Sequence, residues 1–129
     1  MRQARALLAE AQRLQTLVSD DERLRNEFPR ISRPIADTFR DYEDHFRYQW
    51  HQDNGRGRLL YARYLSIAQD LRISTTILRG AVRYKNAGSI EVKRAEIRQA
   101  VRKLAGLIRD GVRDEPDEVE HMGAIEALI

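Results

Sequence analysis

Apolar residues recur along this chain at intervals of three and four, and no stretch alternates apolar with polar in the manner of a strand. Residues 2–18 place Leu7, Ala11, Leu14 and Val18 on one side of a helix. Ser19 followed by Glu22 resembles a capping box, which would open a short helix through Leu24 and Phe28. Pro29 would end it, because proline disfavours the helical conformation in the residue before it. A long helix is expected from Ser32 or Arg33, with Pro34 in its first turn and Ile35, Phe39, Tyr42, Phe46 and Trp50 as its apolar side. "DNGRG", residues 53–57, reads as a loop. The spacing predicts a further helix from Arg58 to Lys85, turning Leu60, Tyr64, Ile67, Leu71, Leu78 and Val82 inward. "NAGS", 86–89, reads as a stop followed by a serine cap. The last long helix buries Ile90, Ile97, Val101, Leu104 and Ile108 and stops at Gly111.

Long helices joined by short loops predict an all-α fold, an antiparallel bundle of four to five helices. A length of 129 residues fits a single helical domain over 1–129. The acidic C-terminal segment 114–129, "DEPDEVEHMGAIEALI", is expected to add a short helix from Pro116. Its apolar end, "AIEALI", should dock on the bundle or on another chain rather than stand in water.

Cysteine is absent, which excludes disulfides, thiolate metal ligands and thiol nucleophiles. The N-terminus, "MRQARALLAEAQRL", lacks the unbroken apolar run of a signal peptide. No stretch approaches the ~18 apolar residues of a membrane-spanning helix. A cytoplasmic location without membrane partners is therefore expected.

Charge changes the picture more. The formal net charge is +3, but it is unevenly spread. Residues 1–113 hold all 23 basic residues against 14 acidic ones, whereas residues 114–129 hold six acids and no lysine or arginine. Within 56–109, 13 basic residues face three acids. Such a concentrated field selects polyanionic partners. Arginine outnumbers lysine 20 to three, and the guanidinium grips phosphate with two prongs.

Much of this charge is ordered. Arg94, Arg98, Arg102 and Arg109 fall within about 80° of each other on a helix and span roughly 22 Å. Arg72, Arg79 and Arg83 make a second stripe, with Lys85 just beyond it. The two helices are consecutive, so their stripes are expected to join in one basic surface. A nucleic-acid backbone is a line of charges that suits such a surface, with affinity falling steeply as salt rises. Tyr61 falls on the same side of its helix as the arginines there and Tyr84 elsewhere but close to the turn, and either could stack on an unpaired base. The competing readings are a solvated face, whose arginine stems cover apolar surface, and pairing with the acidic tail.

Catalytic signals are sparse. His45 and His51 are six residues apart and about 120° out of phase, and His121 is distant, so no metal or other cofactor is expected. "RDYEDH", Arg40 to His45, resembles the R-x4-6-H motif of HEPN-domain ribonucleases. Those are all-helical domains that act as dimers. The resemblance implies His45 as a general acid or base and Arg40 as a stabiliser of phosphorane charge. The same residues also read as a helix surface, with Arg40–Asp44 and Glu43–Arg47 pairs at i,i+4 and His45 at the edge of the core. Phe39, Phe46 and Trp50 read as core rather than as a cofactor box.

In size, class and charge layout the chain resembles the small subunits of CRISPR effector complexes, helical proteins that stack along the crRNA–target path. That resemblance implies a non-enzymatic role in an oligomer or ribonucleoprotein complex. It also implies backbone contacts through Arg72, Arg79, Arg83, Arg94, Arg98, Arg102 and Arg109, with Lys85 beside them, to RNA or single-stranded DNA. Other helical nucleic-acid binders share the profile. The alternatives are a HEPN-like ribonuclease using Arg40 and His45, and a structural adaptor whose basic face meets an acidic protein.

Overall fold

The computed structural model describes residues 2–55 and 57–113, with backbone alone for 112 and 113. The described residues form five helices and no strand: α1 (Arg2–Ser19), α2 (Asp21–Asn26), α3 (Phe28–Gln52), α4 (Arg58–Arg83) and α5 (Ala87–Arg113). The helix expected from Pro116 lies outside the described residues.

The ends of the helices differ from the sequence reading, with α2 ending at Asn26 and α4 at Arg83, and four of the differences have a local reason. The residue capping α2 is Asp20, whose carboxylate accepts from the Glu22 and Arg23 amides at 3.0 and 3.1 Å. The Ser19 hydroxyl instead donates back to the Gln15 carbonyl at 2.6 Å. Pro29 does not end a helix but sits in the first turn of α3, where the amide it lacks would have had no partner anyway. Fully buried Phe28 anchors that turn, and α3 runs on through Pro34. Asn86, not Ser89, caps α5: its side chain accepts from the Ser89 amide at 3.1 Å. Gly111 is helical, and α5 continues to Arg113.

The turn between α4 and α5 closes in a paired arrangement. The Asn86 amide donates to the Ala81 carbonyl at 2.9 Å and the Lys85 amide to Val82 at 3.2 Å. Such a turn needs one residue in the left-handed region. Here it is Lys85, with φ 54°, and no glycine.

The four long helices pack as an up-down-up-down bundle. α3 lies mainly on α4, α4 on α5, and α5 on α1, while α2 spans the end between α1 and α3. Each long helix contributes one apolar stripe. Leu7, Leu14, Phe39, Phe46, Tyr64, Leu71, Ile97 and Leu104 are all at most 2% exposed. Tyr42, Leu60, Val82 and Ile90 pack partly buried on the margin of this core. Trp50 is half-buried under the Arg58 guanidinium, 4.7 Å from its ring centre.

One charged residue enters this interior. Glu43 is 3% exposed and accepts both Nε and Nη2 of Arg72, the latter at 3.1 Å. The bond crosses from α3 to α4 and fixes their register. It also raises the pKa of the Arg72 guanidinium. Removing one partner of a buried pair leaves a charge without compensation. Arg72→Met should therefore lower the unfolding free energy by about 3 kcal/mol, read from urea denaturation. The double change Glu43→Leu/Arg72→Leu should recover most of that loss, because it removes both charges.

Candidate nucleic-acid interface

The basic stripes are built as their spacing requires, but packing turns them away from each other. Arg72, Arg79 and Arg83 lie within about 40° of one another on α4, on the flank that meets α3 through the Arg72–Glu43 pair. Arg94, Arg98, Arg102 and Arg109 lie on the flank of α5 that meets the α1–α2 end, where Arg94 binds Asp21. Other residues make the seam between α4 and α5. Ser74 Oγ donates to Glu96 at 3.3 Å, and Lys93 Nζ pairs with the same carboxylate at 2.8 Å. Asp70 and Lys103 line the cleft there. The single surface expected from adjacency of the two helices is thus replaced by two, bordering opposite seams of the bundle.

The eight predicted contact residues divide by what holds them. Arg72 is engaged with Glu43. Arg94, only 14% exposed, is held by Asp21 and by Glu91 at 2.8 Å. These two arginines staple helices together. Arg109 pairs with neighbouring Asp110 at 3.1 Å, both side chains being well exposed, an arrangement that holds little energy. Arg83 lies over the Tyr84 ring at 5.7 Å, and that ring is 77% exposed. Lys85 is exposed on the turn. Arg79, Arg98 and Arg102 are exposed and have no acid partner among the described residues.

The sequence reading missed the opposite bank of the α5 stripe. α3 packs on the side of α1 that carries Glu10 and Leu17, with Ile31 and Ile35 across from them. The other flank, with Gln15 and Ser19, therefore lies beside α5. Glu10 is the sole acid of α1, and it pairs with Arg13. Arg98 and Arg102 thus border a polar flank whose acids are already engaged, Asp20 in capping α2 and Asp21 with Arg94. The signal was present in the sequence as an acid-free side of residues 2–19, but its relevance depended on which helix lay next to it.

Arg40 and His45 sit on one unbroken helix, five residues and about 140° apart. Arg40 is exposed, and half-buried His45 sets its ring edge-on to Phe46 with centres 5.1 Å apart. Within one chain they face different directions. Glu43 bonds Arg72 rather than Arg47, and Arg47 turns instead to Asp44 at 3.1 Å. Among the described residues, no group of three or more His, Asp or Glu side chains converges where a metal ion could be held. No described helix is long and apolar enough to cross a membrane. Comparison of the chain with protein-family profiles, curated proteins and solved structures returned no match.

Electrostatics sort the holding contacts from the open ones. The hydrogen bond and charge of Arg94 hold the Asp21 carboxyl below its ordinary value of 3.8. A carboxyl depressed on folding stabilises above its unfolded pKa, and that contribution fades as pH falls through the lower folded value. Asp21→Asn should make the urea midpoint fall less steeply than in the parent as pH is lowered from about 4. At the turn, a side chain in the left-handed region costs about 1 kcal/mol or more relative to glycine. Lys85→Gly should therefore raise the thermal midpoint by a few degrees, measured by circular dichroism.

Proposed function

We propose that this protein is a non-enzymatic, basic helical subunit that holds the phosphate backbone of a nucleic acid along α5, through Arg98, Arg102 and Arg109. The observation that carries this reading is the pair of exposed arginines, Arg98 and Arg102, one helical turn apart and without an acid partner among the described residues. They rise about 6 Å apart along the helix, so a backbone lying along it meets successive cations. Arg79, Arg83 and Lys85 offer a second, shorter set of contacts at the α4–α5 turn, with the Tyr84 ring available to stack on a base. Arg72 and Arg94 position helices instead of touching the ligand.

Such a surface binds backbone and reads no sequence, which agrees with service inside a larger assembly. The resemblance to small subunits of CRISPR effector complexes supplies one such setting, a cytoplasmic RNA-guided complex. Exposed Ile73 and Ile77 on α4 and Val92 near the start of α5 support the protein-contact half of the reading.

Fluorescence anisotropy of labelled single-stranded RNA, single-stranded DNA and duplex DNA, from 50 to 300 mM salt, tests it. Binding should weaken steeply with salt, and each of Arg98→Gln and Arg102→Gln should lower the salt slope by about one. Arg98→Glu/Arg102→Glu should abolish binding at 150 mM salt, and His45→Ala should leave it unchanged. Absence of binding at 50 mM salt would overturn the reading. Cleavage of the RNA that is lost in His45→Ala would replace it with a ribonuclease.

A further inference from the structure

A groove of about 570 Å³ runs between α1 and α3. Its floor is apolar, formed by Leu14, Leu17, Ile31 and Ile35, and its rim carries Ala9, Gln12, Thr16, the paired Glu10 and Arg13, and Arg23, which is paired with Glu27. Ile31 and Ile35 remain only partly buried against the core. An apolar trough beside a completed core calls for an occupant.

We infer that this groove is the docking site of the chain's own acidic C-terminal segment, residues 114–129. The first argument is reach. Arg94 meets Asp21, so α5 and α1 run in opposite directions. Arg113 stands 19 residues past Arg94, and Arg2 stands 19 residues before Asp21. The last turn of α5 is therefore level with the first turn of α1. From there Ala9 lies about 10 Å and Thr16 about 21 Å along α1 at a rise of 1.5 Å per residue. Sixteen residues can span up to ~50 Å when extended, so the segment reaches the groove with length in hand for a helical turn or two.

The second argument is charge, in register. Acids crowd the beginning of the segment: Asp114, Glu115, Asp117, Glu118 and Glu120 all precede the apolar stretch. On the way from Arg113 to the groove they pass Arg2 and Arg5, both exposed and without an acid partner among the described residues. The apolar residues then arrive where the groove is apolar. If this stretch forms a helix on docking, Met122, Ile125 and Ile129 fall within about 60° of one another and give it one apolar ridge for the apolar floor. The outer face of α4 fits this segment less well. There Asp70, halfway along the helix, and Glu96 line the cleft toward α5 and oppose the segment's acids, although Arg58 stands at the near end.

Docking in this way stations five acids at the Arg2–Arg5 end of α1. That end adjoins Arg109, so the segment contributes a negative field at one end of the α5 stripe. It requires no nucleic acid, and it is tested without any.

Because the chain has no cysteine, pairs can be placed at will. In the full chain, Thr16→Cys/Ala127→Cys puts one thiol on the groove rim and one beside the apolar ridge without removing any of its members. Ile77→Cys/Ala127→Cys is the control on the outer face of α4. Under mild oxidation at low protein concentration, read by non-reducing electrophoresis and peptide mapping, the first pair should close an intramolecular disulfide at least tenfold faster than the control. Adding Arg2→Glu/Arg5→Glu, or 0.5 M salt, should slow it severalfold while circular dichroism stays unchanged. Equal rates in both pairs would overturn the docking. Closure mainly between two chains would overturn it also, by assigning the groove to the segment of another copy. Neither result would touch the anisotropy experiment, which reads the arginines of α5 directly.

Discussion

Glu43 lies halfway along α3 with its carboxylate out of water, and among the described residues only Arg72 answers its charge. Arg72 stands halfway along α4. A pair of this kind allows little sliding, because a shift of one turn would strand a carboxylate in an apolar seam. Apolar stripes of leucine and phenylalanine tolerate several registers, since one methyl packs much like another. The ion pair does not. Its geometry sets the rotation of α4 about its own axis as well as its height. Through that rotation it decides which side of α4 faces α3, which faces α5, and which is left for solvent or a partner.

The arginines follow from this. Arg79 and Arg83 share a phase with Arg72, so they border the α3–α4 seam. Arg94 plays the equivalent part on the other side of the bundle. Held by Asp21 and Glu91, it ties α5 to the α1–α2 connection and carries Arg98 and Arg102 along the α1–α5 seam. Each stripe thus consists of one cation that holds the scaffold and others that project from it. The inner member has low exposure and two-fold bonding; the outer members have neither. That division separates positioning from binding more sharply than a count of positive charges does, and it concentrates the nucleic-acid reading on α5.

Local departures in the helices have the same character. Proline at position 29, whose chemistry suggests a stop, serves as part of a start, because the first turn of a helix has unpaired amides in any case. The left-handed residue of the α4–α5 turn is a lysine, although glycine stands three residues on. In both places, the conformational preference of a single residue yields to the burial of its neighbours: Phe28 beside Pro29, and the ends of α4 and α5 closing around Ala81 and Val82.

The sequence by itself determined the helical class, the antiparallel order and nearly all the core. Those depend on apolar residues recurring every three to four positions, a property of local spacing that survives without knowledge of neighbours. It also determined the two arginine stripes, because phase along one helix is likewise local. Only the tertiary structure decided that the stripes border opposite seams, that Arg72 and Arg94 are bonded while Arg98 and Arg102 have no acid partner among the described residues, and that the bank facing them is polar with its acids Asp20 and Asp21 already engaged. Glu43 shows why. Its spacing suggests a helix surface and a pair with Arg47 four residues on, whereas it is buried on the side of α3 that carries Phe39 and Phe46. Its partner is 29 residues away on another helix, and the rotation that brings the two together arises only when four apolar stripes close on one core.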